Sequence, residues 1–234
     1  MDQSEARNEL RSAIYGGDID FLKDVLSGPA WPDDSLQLLG DAVLMITRER
    51  ADDIESAARR CVKELRYRDW EGDVQLAVQI EAALGWGPSP LLRPLPVDLE
   101  ELAGSLEGDP MDGGGAIDLR DGQVWPKSVW DNDSEDWDLG DPDDDERWLW
   151  FGSEGSRSGY QDMESFIDMV EDEQVAERLA WAIQGRGAFR RFKDALDWYP
   201  ELQTRWYGFS EDRHLGRARA WLAAEGYHPV PRVE

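Results

Sequence analysis

Residues 185–201 read GRGAFRRFKDALDWYPE. Gly185 and Gly187 interrupt the helical pattern that precedes them, and Phe189, Phe192 and Leu196 then recur at i, i+3 and i+7, which places them on one face of a new helix. Arg186, Arg190, Arg191 and Lys193 lie around that face. Pro200 starts a further helix at a position where its missing amide costs nothing. A helix with an aromatic face, set between glycines and followed at once by another helix, predicts a packing hub in a helical domain. Its arginines are expected to answer the chain's own carboxylates, including those at 131–146.

Outward from this stretch the helical period continues. Met163, Phe166, Ile167 and Val170 form one stripe, and Val175, Leu179, Trp181 and Ile183 a second. Residues 204–225 carry Trp206, Phe209, Leu215, Ala218, Trp221 and Leu222, with a break expected near Ser210. At the other end, residues 1–85 hold five amphipathic runs with short connections, the signature of an antiparallel helical array. Asp18 or Asp20 caps the second of these runs, and Pro32-Asp33-Asp34-Ser35 supplies turn and capping groups for the third. Residues 85–96, GWGPSPLLRPLP, contain four prolines in twelve positions and predict a linker that no regular element crosses.

Between linker and hub the period shortens. Residues 97–106 form a helix capped by Asp98. Residues 115–120 and 123–127 then flank Asp121-Gly122, a tight-hairpin signal, and 147–151 is the candidate third strand. The expected fold class is α+β: an N-terminal antiparallel helical array at 1–85, then at 97–234 a mostly helical domain with a small antiparallel hairpin or three-stranded sheet.

GRGAFRRFKDALDWYPELQTRWYGF, with YQDMESFIDMVEDE upstream and ARAWLAAEGYHP downstream, closely resembles the C-terminal core of the bacterial uncharacterised protein family 0158. VDLEELAGSLEG and GGAIDLRDGQVWP are similar to the short helix and hairpin-like segment that the family sets ahead of its helices. The resemblance covers about residues 97–230. It implies no catalytic residues.

The chemistry open to this chain is bounded by its composition. Fifty-one acidic against 25 basic side chains give a formal charge of −26, a field that disfavours nucleic acid and anionic membranes and attracts basic proteins and cations. Cys61 is the single cysteine, which excludes an internal disulfide and a multi-cysteine metal centre. With two histidines and no phosphate-cradle motif, no cofactor is expected. There is neither an export signal nor an apolar run of spanning length, so a cytoplasmic protein without a membrane partner is expected.

Residues 131–146 hold ten carboxylates and no base, and self-repulsion predicts an extended segment. Asp131, Asp133 and Glu135 begin like a calcium loop, but Asp136 stands where the loop needs glycine and Pro142 where it needs a bidentate acid. Weak, nonspecific divalent binding is all this run supports. Trp125, Trp148 and Trp150 read as inward strand residues. Trp130 and Trp137, amid Asp133, Glu135 and Asp136, are the candidates for gripping a cation. The favoured function is a non-enzymatic interaction or regulatory module with a basic protein partner. The alternatives are a divalent-cation-dependent hydrolase or nuclease-like enzyme using clustered carboxylates, and a nucleic-acid binder through Arg186, Arg190, Arg191 and Lys193.

Overall fold

The computed structural model describes residues 3–49, 54–107, 113–131, 139–153 and 155–231. In chain order its elements are α1 (Gln3–Gly16), α2 (Ile19–Ser27), α3 (Leu36–Arg48), α4 (Glu55–Arg68), α5 (Asp73–Ala83), β1 (Arg93–Leu95), α6 (Leu99–Leu106), β2 (Gly114–Asp118), β3 (Val124–Pro126) and α7 (Lys127–Asp131). They continue with β4 (Trp148–Gly152), α8 (Ser156–Asp168), α9 (Glu173–Ala182), α10 (Ala188–Leu196), α11 (Pro200–Ala224) and β5 (Tyr227–Pro229). The fold is α+β, with a mostly helical N-terminal region and a small antiparallel three-stranded sheet.

Two compact units result. The first joins residues 1–90 to 159–216, and the second joins 91–158 to 217–234. The helices that follow the sheet thus group with the N-terminal array, a division that a linear reading of domains does not give.

In the first unit, Asp18 caps α2 by accepting the Phe21 amide at 3.1 Å, and Asp172 caps α9 through the amides of Gln174 and Val175. Each supplies an acceptor to amides that lack an intrahelical partner. The core of α8 to α11 gathers Met163, Phe166, Leu179, Phe192, Trp206 and Phe209. Phe166 meets Trp206 and Phe209 at 5.3 and 5.6 Å between ring centres, and Phe192 meets Trp206 edge-on at 4.9 Å. Phe192 and Leu196 are buried as the hub requires, whereas Phe189 is 38% exposed and rests at the rim against α8 beside Gly159. The predicted break near Ser210 is absent, and α11 runs unbroken over 25 residues. Gly208 is spent on packing rather than bending, because the buried Arg7 guanidinium fills the space where a side chain would stand.

In the second unit, β2 is the central strand, flanked antiparallel by β3 and β4. The turn between β2 and β3 has Gly122 at φ +74°, as an Asp-Gly hairpin demands. β1 pairs parallel with β5, aligning Pro94 with His228. β1 thus lies within residues 85–96 without crossing them. A two-strand ladder tolerates Pro94 because both strands are edges.

Candidate functional site

On β4, Trp148 and Trp150 are two residues apart and share one face of the sheet. Trp130 of α7 covers that face, meeting Trp148 edge-on at 4.7 Å and Trp150 tilted at 4.8 Å. Strand alternation predicts Trp125, Trp148 and Trp150 inward. The structure buries Trp148, half-buries Trp125 and leaves Trp150 41% exposed, because β4 is an edge strand. The rings press on one another, so they do not enclose a space for a quaternary ammonium ion. Arg147 of the chain itself lies 4.3 Å from the Trp148 ring centre. What the cluster offers outward is the exposed part of Trp150.

Beside it the described part of the acidic segment, 139–146, is folded into turns. Asp141 Oδ1 accepts the Asp143 amide at 2.9 Å, Asp144 Oδ1 accepts the Glu146 amide at 3.1 Å, and Trp150 Nε1 donates to the Pro142 carbonyl at 3.1 Å. These bonds correct the extended conformation expected for this part. Asp141, Asp143, Asp144, Asp145 and Glu146 are all exposed. Arg147 turns inward to the Leu139 carbonyl and to Asp118 Oδ2 at 3.0 Å. Burial alone would raise the Asp118 carboxyl, but bonds from Arg120 and then Arg147 outweigh it and hold the group down at about 2. The site residues Asp133, Glu135, Asp136 and Trp137 lie outside the described residues.

The basic candidates occupy the tip of the α9–α10 hairpin, and they divide. Arg191 donates to the carbonyls of Ala182 at 3.0 Å, Gln184 at 2.6 Å and Arg186. It therefore closes the C-terminus of α9, whose last carbonyls lack intrahelical partners, and this is a structural task. Its observed partners are backbone oxygens rather than the carboxylates expected. Arg186 and Lys193 are exposed, and Arg190, with a side chain 90% exposed, approaches Asp194 at 3.9 Å.

A third group was not legible as a site. Arg68 at the end of α4 donates from Nε and Nη2 to both oxygens of Asp73 at 2.8 and 2.7 Å, while its Nη1 lies 2.5 Å from Asp212 Oδ2. Asp73 also accepts the Trp70 amide and Gln37 Nε2, and Asp212 accepts the Gln37 amide at 2.8 Å. Asp212 thereby caps α3 from a distance of 175 positions, a task that Ser35 does not perform; Ser35 donates instead to the Pro32 carbonyl. Burial pushes the Asp212 carboxyl up, with Arg68 and the Gln37 amide pulling against it.

Asp34, at φ +47°, faces this cluster. Burial and then Asp212 push its carboxyl up to about 6, while Arg205 and Arg68 pull it down and the neighbouring Asp33 adds to the rise. A carboxyl whose folded pKa exceeds its unfolded one weakens the fold as pH rises between the two values. Asp34→Asn is accordingly expected to stabilise the protein at pH 7 by about 1–2 kcal/mol, the shift being discounted for partial exposure, with the gain gone below about pH 4. Asparagine keeps the shape and tolerates the left-handed backbone. Urea melts of both proteins at the two pH values check it, and an equal difference at both would contradict the burial of Asp34.

Ser210, His214 and Asp162 share the first unit. Ser210 Oγ lies 3.0 Å from His214 Nε2, and that same nitrogen is 4.0 Å from Asp162 Oδ2. A nucleophile relay needs serine and acid on opposite ring nitrogens, so this arrangement is not one. Asp162 Oδ1 accepts Arg213 Nε at 2.9 Å. With its charge so answered, Asp162 with His214 offers a divalent ion loose contact at most. Cys61 is fully buried in α4, and burial pushes its thiol up to about 12, which makes it a core residue rather than a nucleophile. No helix among the described residues is long and apolar enough to cross a membrane.

The model of the uncharacterised protein family UPF0158 matches residues 117–234. The chain is 31% identical over 141 residues to the UPF0158 protein PA5073 of Pseudomonas aeruginosa, a span that is 60% of this chain and 90% of that protein. No solved structure matches.

Proposed function

We infer, from the premise that the chain belongs to the uncharacterised protein family UPF0158, that it is a non-enzymatic docking module whose acidic turn receives the cationic side chains of a basic protein partner. The observation that carries this reading is the turn at 141–146, where five exposed carboxylates sit on a frame that Asp141 and Asp144 hold by accepting backbone amides, beside the exposed Trp150 ring. Such a turn presents charge on an ordered frame and an indole to a guanidinium at one place, which combines ion pairing with cation–π attraction. The net charge of −26 draws a basic protein in from solution.

The test is fluorescence anisotropy with a short labelled peptide of alternating arginine and alanine. Asp143→Asn, Asp145→Asn and Glu146→Gln together spare Asp141 and Asp144, whose side chains hold the turn. This triple variant, and separately Trp150→Leu, are each expected to bind the peptide about tenfold more weakly. Neutralising the exposed Glu5, Glu9 and Asp20 changes the total charge equally and is expected to leave binding unchanged. Equal loss in both triple variants would reduce the effect to net charge and reject the turn as a site. Calorimetric titration with magnesium, calcium and manganese addresses the carboxylate-metal alternative, and micromolar affinity for any of them would reject the non-enzymatic reading.

A further inference from the structure

We propose that the chain associates with itself head to tail, the basic tip of the α9–α10 hairpin of one copy receiving the acidic turn at 141–146 of the next. The inference rests on the reading of that turn as a docking face and names what docks there.

The tip, residues 184–193, reads QGRGAFRRFK and holds four bases and no acid in a chain of charge −26. Arg191 is occupied by the carbonyls of Ala182, Gln184 and Arg186. Arg186, Arg190 and Lys193 remain exposed, and Arg190 makes only a loose 3.9 Å approach to an exposed Asp194 among the described residues. The acidic turn is the complement: five exposed carboxylates in six residues, no base before Arg147, and an exposed indole that accepts a guanidinium. Each patch lacks what the other has. Since the two are different surfaces, their contact is heterologous, and each copy added brings one further patch of each kind for the next.

A polynucleotide fits the tip less well. Phosphates continuing past it meet Glu177, Asp194, Asp197 and Glu201, all exposed and on or beside the same two helices. A short acidic turn meets the tip alone.

Charge also dictates a signature. Two copies of −26 repel through the whole field when the screening length is about 30 Å, near 0.01 M salt. At roughly 0.15 M it falls to about 8 Å, which silences the distant charges and spares the contact. At about 1 M the contact itself is screened. Association is therefore maximal at intermediate salt, unlike that of a purely apolar or a purely attractive charged interface.

Sedimentation velocity of the full chain at these three salt concentrations, over a protein concentration series, is the test. The expected result is a sedimentation coefficient that rises with protein concentration at the middle salt and stays monomeric at both extremes. Arg186→Gln, Arg190→Gln and Lys193→Gln together, and separately the triple variant of the turn, are each expected to stay monomeric. Mixed in equal amounts they are expected to form a 1:1 complex that grows no further, because each retains one working face. All the exchanged side chains are exposed, and far-ultraviolet circular dichroism confirms that the variants are folded.

A wild-type chain monomeric at all three salts overturns the proposal. So does a variant that associates like wild type, a mixture that does not pair, or a single-stranded oligonucleotide that binds wild type and not the tip variant. If the arginine peptide still binds the turn while the wild type is monomeric, the docking reading stands and self-association alone falls.

Discussion

Replacing Arg68 by methionine is expected to lower the free energy of unfolding by about 3–5 kcal/mol. Methionine fills much of the same volume, so the loss comes from charge and not from a cavity. Asp73 and Asp212 are both buried, and Arg68 is the cation that lies between them. Without it, two carboxylates stand in a low-dielectric site, held among the described residues by the amides of Gln37 and Trp70 and the Gln37 side chain. Urea unfolding followed by circular dichroism checks the prediction, with the midpoint falling and the slope unchanged. Adding Asp212→Asn to the methionine variant is expected to recover part of the loss, because a neutral amide can still accept the Gln37 amide and no longer needs a counter-charge. A loss below about 1 kcal/mol would mean that water reaches the cluster.

The second large effect is steric. Gly72 has φ +85°, and a Cβ added there would stand 2.1 Å from the Gly216 carbonyl oxygen and 2.6 Å from its Cα. From the other side, a Cβ on Gly216 would lie 2.2 Å from the Glu71 carbonyl oxygen. The turn before α5 thus meets α11 backbone to backbone, and neither partner is a flexible side chain that can move away. Gly72→Ala combines this overlap with left-handed strain and is expected to cost about 3–5 kcal/mol. Gly85→Ala is the control, since Gly85 has φ +72° but nothing within 4 Å of the added carbon. Its expected cost is the backbone term alone, about 1 kcal/mol. Thermal melts of the two variants separate overlap from strain, and equal losses would refute the close approach.

These predictions fall on residues that the sequence does not mark. Arg68, Asp73 and Asp212 are three charged residues among 76, and nothing in their spacing joins them. The acidic turn and the basic tip are legible because they are local runs of composition. Their separate fates are not: Arg191 sits in the same run as Arg190, yet one closes a helix and the other faces water. Trp150 was equally hidden, because alternation marks its face of the strand but not that β4 forms the edge of the sheet.

The hub at 185–201 shows the same division. Phe192 and Leu196 follow from the helical period, and so do α3, α4 and α5 and the hairpin around Asp121-Gly122, since periodicity and turn chemistry act within a few residues. The sequence by itself determined these elements, the α+β class and the strong negative charge. Only the tertiary structure decided that α8 to α10 and most of α11 join the N-terminal array, that Asp212 caps α3, and that Gly72 and Gly216 let two backbones touch. The physical reason is distance along the chain. A hydrogen bond or a backbone contact between residues more than 140 positions apart leaves no period, run or motif, and exists only once the chain is folded.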